Sequence, residues 1–200
     1  MIKSATLVLK ECLFTVRGDC FGCESGALAL INQNIECKAA LGDFDSVDEK
    51  TKNIIQLKAK TFIQVPSQKD VSDSELAIDY LLNEGYQQIY VYGALGNRSD
   101  HHHVNLLLAY QHQELILVDE NQSIQCYGAG LHTLKKEHYD LFSVFTFDEA
   151  VISLSGCAYP LDHRKIDVHN TLTLSNTWLD QESKLNVHQG KVLVIQTKNT

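Results

Sequence analysis

Three acidic clusters early in the chain carry the residue types that bind metal ions and phosphate groups. Each follows a short apolar run, and they read Gly42-Asp43-Phe44-Asp45-Ser46, Lys69-Asp70-Val71-Ser72-Asp73-Ser74-Glu75 and Gly96-Asn97-Arg98-Ser99-Asp100-His101. In a parallel sheet the carboxyl ends of the strands share one edge, so the three clusters can converge there. Converging carboxylates repel one another unless a cation lies between them, and the lysine and arginine favour a phosphate-bearing ligand. The pattern predicts a magnesium–phosphate site.

The first two clusters also have simpler interpretations when each is taken alone. Asp43 and Asp45 are two residues apart, so extended backbone points both at one ion, but Asp and Ser also form ordinary solvated turns. Asp73 and Glu75 can be favourable charges at a helix N-terminus that begins with Ser72 as its N-cap. The helix interpretation accounts less well for Lys69-Asp70. A loop lysine beside carboxylates at a sheet edge fits a nucleotide phosphate.

The third cluster follows a turn with Gly93 and Gly96 and opens a helix, whose free backbone amides favour an anion. The run of three histidines at 101–103 cannot share one metal ion, because consecutive helical residues diverge by about 100°. Near the C-terminus, Ser175-Asn176-Thr177-Trp178 contains the only tryptophan. That residue is either part of the core or a platform on which a flat heteroaromatic ligand stacks.

Composition limits the partners and the compartment. The 200 residues carry a formal charge of −8, which disfavours nucleic acid, because phosphate backbones need a basic face. No run of about 20 apolar residues is present, so we expect no membrane span. The N-terminus lacks the apolar core of a signal peptide, and the six scattered cysteines are more typical of reduced thiols than of a disulfide framework. These features favour a cytoplasmic protein.

The first 119 residues alternate strand-like and helix-like segments, which predicts an α/β domain with three layers around a mostly parallel sheet. The expected strands are Ala5–Leu9, Phe14–Arg17, Cys37–Leu41, Thr61–Val65, Ile89–Tyr92 and Leu115–Val118, and the expected helices are Glu24–Asn32, Asp48–Lys58, Ser72–Asn83 and Asp100–Gln111.

The pattern changes near Asp119–Asn121, and residues 122–200 show short alternating runs without a helix. The expected strands there are Ser123–Tyr127, Leu131–Leu134, Leu141–Phe147, Val151–Leu154, Asp167–Leu174 and Lys191–Ile195. This half is therefore predicted to be an all-β sandwich domain.

Taken together, the motifs resemble those of the thiamine pyrophosphokinase family. Gly-Asp-Phe-Asp-Ser is intact at 42–46, and Lys69 to Glu75 is similar to the family's Lys-Asp-x-Thr-Asp-x-Glu, with Ser72 for threonine. Gly96 to Asn105 resembles Gly-Gly-Arg-x-Asp-His-x-x-x-Asn, with Asn97 for the second glycine. Leu174-Ser175-Asn176 is similar to the family's Thr-Ser-Asn. The order and spacing of these motifs agree across nearly the whole chain.

The resemblance implies an ATP-dependent transferase of thiamine diphosphate biosynthesis, which moves the diphosphate of ATP to the hydroxyl of thiamine and releases AMP. It implies that residues 1–119 bind ATP and Mg²⁺, that residues 122–200 bind thiamine, and that a homodimer forms its active sites at the subunit interface. On this resemblance Asp43, Asp45 and Asp73 would hold Mg²⁺, with Asp100 as a further ligand or as acceptor of the thiamine proton. The remaining binding residues would be Lys69, Asp70 and Arg98 for the nucleotide, together with Glu24, Ser175, Asn176 and Trp178.

One motif departs from the family pattern. The family usually carries Ala-Asp-Gly-Gly-Ala before its Gly-Asp-Phe-Asp-Ser block, and the corresponding residues here are Cys23-Glu24-Ser25-Gly26-Ala27. The carboxylate is one methylene longer, and a glycine is replaced by serine. This departure keeps open a binding module that has lost catalysis. The other alternative is a phosphatase of the haloacid-dehalogenase type, whose Asp-x-Asp signature Asp43-Phe44-Asp45 also satisfies. That class places the motif after its first strand, whereas here it follows a later one.

Overall fold

A computed structural model describes residues 2–66, 71–96 and 98–199, which form two compact units. The first, called the α/β unit here, contains the residues up to Leu108 together with Glu114–Asp119. The second, called the β unit, contains Ala109–Gln113 and the residues from Glu120 onward. The expected fold class, a mostly parallel α/β sheet plus an antiparallel β sandwich, is confirmed.

The α/β unit is built on six parallel strands. In chain order its elements are β1 (Ser4–Val8), β2 (Asp19–Cys23), α1 (Ser25–Asn32), β3 (Ala39–Gly42), α2 (Glu49–Lys58), β4 (Thr61–Gln64), α3 (Asp73–Asn83), β5 (Gln88–Tyr92), α4 (Ser99–Gln111) and β6 (Leu115–Val118). The strands lie in the order β6-β5-β1-β2-β3-β4. The chain therefore builds from β1 toward one edge and then continues on the other side of β1, which makes the boundary between β1 and β5 the topological switch point.

Helices α2 and α3 begin where the sequence places N-capping residues. The Asp48 carboxylate accepts a hydrogen bond from the Thr51 backbone N–H at 2.7 Å. The Ser72 hydroxyl accepts one from Glu75 N–H at 3.2 Å, as the predicted cap requires. Each cap satisfies an amide that has no partner inside its helix.

The β unit is a sandwich of two antiparallel sheets. Its strands are β7 (Gln122–Tyr127), β8 (Gly130–Lys135), β9 (Leu141–Phe145), β10 (Glu149–Ser155), β11 (Leu161–Asp167), β12 (Asn176–Thr177), β13 (Glu182–Gln189) and β14 (Val192–Thr197). One sheet has the order β12-β9-β14-β7 and the other β11-β10-β13-β8. Inward side chains of both sheets, among them Phe142, Ile152 and Leu185, form one apolar core. Within the described residues, no helix has the length and hydrophobicity that crossing a membrane requires.

The strand predicted at Phe14–Arg17 is wrong, and the strand that forms, β2, was not predicted. The Thr6 side chain holds Arg17 instead, because Thr6 Oγ1 accepts from Arg17 N–H at 2.7 Å and donates to its carbonyl at 3.1 Å. The sequence of β2, Asp-Cys-Phe-Gly-Cys, lacks apolar alternation because the strand is buried between β1 and β3.

The strand predicted at Asp167–Leu174 is also wrong. The carboxylate of Asp167 accepts from His169 N–H at 2.9 Å, and the Asn170 amide oxygen accepts from Leu172 N–H at 2.7 Å. These local bonds form turns in place of a ladder. The strands β11 and β13 were missed, since β11 buries little besides Ile166, and the inward position 183 in β13 is a serine.

We predict that Gly18→Ala destabilises the protein more than Gly85→Ala does. Both glycines have nearly the same positive φ, +78° and +77°. Alanine in this region costs about 1–2 kcal/mol at either position. A Cβ at Gly18 would also overlap the carbonyl oxygen of Ser4, whereas one at Gly85 meets open space. Overpacking of this kind adds on the order of 1–3 kcal/mol.

The measurement is the free energy of unfolding in urea for both variants and the unmodified protein. Gly85→Ala is the matched control for backbone strain. Equal losses in the two variants would show that the close approach of Gly18 to β1 contributes nothing to stability.

Candidate active site

A cleft of about 280 Å³ lies at the carboxyl edge of the parallel sheet in the α/β unit. Three helix N-termini line it: Glu24 and Ser25 at α1, Ser72 to Ser74 at α3, and Arg98 and His101 at α4. Backbone amides and the positive ends of helix dipoles make such termini favourable for anions. The cleft is therefore suited to a ligand with several negative charges.

The loop after β3 presents Asp43 and Asp45 by burying the residue between them. Phe44 has φ +60° and is almost fully buried, and its ring stacks on Phe62 with centroids 4.5 Å apart. The loop is also held by a hydrogen bond of 3.1 Å from the Asp45 backbone N–H to Asp43 Oδ1. The core therefore fixes the phenylalanine, and the two carboxylates flank it.

Glu24 turns its carboxylate toward this loop. It is the N-cap residue of α1, with φ 43° and ψ −112°, but its side chain makes no cap hydrogen bond. Glu24 Oε2 instead accepts a hydrogen bond from the Ser46 hydroxyl. Backbone strain of this kind in a residue that does not cap its helix is characteristic of functional sites.

Glu24, Asp43 and Asp45 form what we call the carboxylate cluster. One oxygen of each lies within 4.8 Å of the others. Burial raises the pKa of Glu24, the Ser46 hydroxyl opposes that rise, and the neighbouring Asp43 and Asp73 raise the pKa further. Oε1 of Glu24 is buried and has no hydrogen-bond donor among the described residues. Ionised carboxylates this close together repel one another, and a proton or a cation between them would relieve that repulsion.

The second predicted cluster is only partly described. Asp73 lines the cleft near Gly42, where a Cβ would lie 3.6 Å from Asp73 Oδ1 and 3.0 Å from Glu24 Cγ. The absence of a side chain at Gly42 leaves room for both carboxylates. The predicted nucleotide-binding residues Lys69 and Asp70 lie outside the described residues.

In the third cluster Arg98 and Asp100 bind each other. The guanidinium donates to both carboxylate oxygens, at 2.9 Å from Nε and 2.5 Å from Nη2. These hydrogen bonds lower the pKa of Asp100 well below its usual range and raise the pKa of Arg98. Buried Asn105 donates to the Ala94 carbonyl at 2.8 Å and holds the loop before the cluster against α4.

In the β unit, the three predicted thiamine-binding residues have different surroundings. The buried Asn176 amide donates to the Tyr159 carbonyl at 2.9 Å and accepts from Tyr159 N–H at 3.0 Å, so it holds a neighbouring loop. Ser175 is exposed with φ +56°. Trp178 packs on Phe142 with ring centroids 4.6 Å apart, and its buried indole N–H has no acceptor among the described residues. The tryptophan is therefore part of the core and also carries an unused donor.

Sequence reasoning missed Lys10, which lines the cleft directly after β1. Its signal was a lysine at the end of the first apolar run, at the same sheet edge as the acidic clusters. The role of Ser46 as hydrogen-bond donor to Glu24 was also missed, because its partner lies 22 residues away in the sequence.

Comparison with known proteins finds a family model and relatives that are similar to this chain in sequence and fold. The family described as "Thiamin pyrophosphokinase, catalytic domain" matches residues 20–118. A thiamine pyrophosphokinase from Bacillus subtilis (strain 168) is 28% identical over 183 residues, which cover 88% of this chain and 86% of that protein.

Solved structures have the same fold over nearly the whole chain. A thiamin pyrophosphokinase family protein from Enterococcus faecalis matches with a TM-score of 0.88 and 26% identity, covering 98% of this chain and 99% of that one. The crystal structure of thiamine pyrophosphokinase from Bacillus subtilis matches with a TM-score of 0.87 and 24% identity, covering 99% and 100% of the two chains.

We predict that Glu24→Gln stabilises the metal-free protein at pH 8. The pKa of Glu24 is raised in the folded state, so keeping the carboxylate ionised above that pKa reduces the free energy of unfolding. Glutamine removes the charge and keeps the shape. The advantage of the variant should shrink as the pH falls through the raised pKa of Glu24, because the unmodified side chain then becomes neutral too.

The measurement is the thermal unfolding midpoint in EDTA from pH 8 to pH 4, with Glu120→Gln as a control at an exposed glutamate. Addition of Mg²⁺ should raise the midpoint of the unmodified protein more than that of Glu24→Gln. A lower midpoint for metal-free Glu24→Gln at pH 8 would contradict the repulsion inferred for the carboxylate cluster.

Proposed function

The chain belongs to the thiamine pyrophosphokinase family, whose members are ATP-dependent diphosphotransferases, and we propose that the cleft of the α/β unit is where its ATP and Mg²⁺ bind. Its function is that of a thiamine pyrophosphokinase, with thiamine and ATP as substrates. The reaction moves the diphosphate of ATP to the hydroxyl of thiamine and leaves AMP. The observation that carries the proposed location is the Glu24 carboxylate, which lies close to those of Asp43 and Asp45 and has one buried oxygen without a donor among the described residues.

The donor set of the carboxylate cluster fits Mg²⁺. The ligand atoms of Glu24, Asp43 and Asp45 are all carboxylate oxygens, which this hard cation prefers. When bound there, Mg²⁺ would neutralise charge on the phosphates that are transferred. We propose these three residues as its ligands, with Asp73 next to them at Gly42. Glu24 is thereby added to Asp43, Asp45 and Asp73, the residues that the family resemblance suggests as metal ligands.

The rest of the cleft is suited to positioning a phosphate chain, which is the main task of a protein in phosphoryl-type transfer. The N-termini of α1, α3 and α4 supply backbone dipoles at one place. Asp100 stays ionised beside Arg98, and a carboxylate with a lowered pKa is a weak base. We therefore propose that Asp100 accepts a hydrogen bond from the thiamine hydroxyl and orients it. Lys69 and Asp70 stay proposed nucleotide-binding residues.

For thiamine we propose the segment around Ser175, Asn176 and Trp178. Ser175 is exposed there, and the buried indole N–H of Trp178 has no acceptor among the described residues, so a small shift of the ring would offer both groups to a polar heteroaromatic ligand. Asn176 supports this segment by holding the loop at Tyr159.

We also propose a cytoplasmic homodimer in which the first domain of one subunit and the second domain of its partner complete each active site. The support is a set of exposed apolar side chains around the proposed thiamine segment. Tyr159, Leu172, Leu174 and Leu179 are each at least half exposed in the single chain. Apolar patches of this kind are typical of protein interfaces.

We predict that the protein, mixed with Mg·ATP and thiamine, forms AMP and thiamine diphosphate in equal amounts. The nucleotide product, separated by chromatography, is the measurement. Asp43→Asn should reduce turnover at least about a hundredfold, since it removes a ligand charge where the transferred phosphates are neutralised. Asp79→Asn, at an exposed position in α3, is the control and should keep full activity.

Formation of ADP, or nucleotide turnover without thiamine, would contradict the reaction. Tight binding of both substrates without AMP would favour the alternative of a binding module that has lost catalysis.

We predict that two inactive variants, Asp43→Asn and Trp178→Ala, restore activity when they are mixed and allowed to exchange subunits. The heterodimer contains one intact site, made from the first domain of the Trp178→Ala chain and the second domain of the Asp43→Asn chain. Equal mixing of a freely exchanging two-fold dimer should recover about a quarter of normal activity. The measurement is AMP formation before and after exchange.

The control mixes the chain that carries both substitutions with Asp43→Asn, a pair in which no site is intact. Recovery in the control, or none in the test pair, would show that the two halves of the site are not shared between subunits in this way.

A further inference from the structure

Lys10 follows β1 at the topological switch point of the parallel sheet. The Leu9 backbone N–H donates to the Tyr92 carbonyl at 2.9 Å, which ties the segment after β1 to the end of β5. Ligands of open α/β sheets bind outside the carboxyl ends of the strands at this point, where neighbouring connections diverge. Lys10 is therefore at the place in the fold that is most favourable for ligand contact.

Two glycines leave the space in which the Lys10 side chain lies. A Cβ at Gly93 would be 2.8 Å from Lys10 Cγ, and a Cβ at Gly96 would be 2.9 Å from Lys10 Nζ. Both distances are shorter than real Cβ contacts, so a side chain at either position would displace the lysine. The aliphatic stem therefore passes over Gly93, and the ammonium group reaches Gly96 on the cleft wall.

The charge of Lys10 is available to a ligand, whereas that of Arg98 is largely neutralised. The Arg98 guanidinium is bound at two points by Asp100. Over residues 2–66, 71–96 and 98–199, Lys10 forms no ion pair within 4.0 Å. Glu24 and Asp73 also line the cleft and make part of it acidic. A phosphate chain that enters such a cleft needs a cation to offset its repulsion by these carboxylates.

We propose that Lys10 binds the phosphate chain of the nucleotide, a role that rests on the proposed function because it takes ATP as the ligand. A lysine ammonium is a compact point charge on a flexible stem, which suits a phosphate oxygen that changes position as the diphosphate leaves. Gly93 and Gly96 support this role by leaving the stem unobstructed.

The test is calorimetric titration of the full-length protein with inorganic tripolyphosphate and, separately, with AMP, both in Mg²⁺. The variants are Lys10→Met, which keeps the apolar stem and removes the charge, and Lys10→Arg, which keeps the charge. Lys58→Met, at an exposed position in α2, is the matched control for the loss of one positive charge. Thermal unfolding checks that each variant is folded, and Lys10→Gln replaces Lys10→Met if that variant does not fold.

Lys10→Met should weaken tripolyphosphate binding about tenfold or more, as expected for the loss of a hydrogen bond to a charged group. AMP binding should change little, Lys10→Arg should keep most of the affinity, and Lys58→Met should match the unmodified protein. Unchanged tripolyphosphate binding by Lys10→Met would overturn the proposal, and so would a lack of binding by the unmodified protein.

The same variants separate this proposal from the proposed function. If Lys10→Met loses tripolyphosphate binding but the unmodified protein forms no AMP, the phosphate-binding role stands and the reaction fails. If AMP forms normally and Lys10→Met binds tripolyphosphate as well as the unmodified protein does, the reaction stands and the role of Lys10 fails.

Discussion

Repulsion among carboxylates at one sheet edge is the constraint around which the α/β unit is arranged. Glu24, Asp43 and Asp45 place oxygens within 4.8 Å of one another, and burial raises the pKa of Glu24. Such a group lowers the stability of the folded protein unless a cation or a proton offsets its charge. The fold therefore keeps an unfavourable arrangement that binding of the proposed Mg²⁺ would make favourable. A ligand-dependent site of this kind is consistent with the diphosphotransferase family of the chain.

The remainder of the unit holds these carboxylates in place against their repulsion. Phe44 contributes to this, because its buried ring fixes the loop that presents Asp43 and Asp45. Because β2 and β3 are parallel neighbours, the loops that follow them lie side by side. Glu24, directly after β2, is therefore close to Asp43 and Asp45, which follow β3. Packing of the apolar core thus stabilises the loop against the repulsion between its carboxylates. Strained functional sites persist when the surrounding structure holds them in this way.

Much of this arrangement was predictable because the motifs are local and their order matches the order of the strands. The helices and most strands of the α/β unit follow from periodicity and caps, as with Ser72 at the start of α3. The place of Lys10 at the end of the first apolar run could be read from the sequence, but its contacts with Gly93 and Gly96 could not, since they exist only after β1 and β5 pair. The run Asp167–Leu174 has the alternation of a strand, but its Asp and Asn side chains form turns that compete with a ladder.

The glutamate at position 24, where the family usually carries aspartate, fits the geometry of the cluster. A short acidic side chain at an N-cap position readily accepts from the amides of its own helix. The extra methylene carries the Glu24 carboxylate past the first turn of α1 to Ser46, and its side chain leaves the helix uncapped. Helix α1 thus has no side-chain cap, and the Glu24 carboxylate is held at the carboxylate cluster by a hydroxyl donor. The longer residue therefore still supplies a carboxylate to the cation site that we propose.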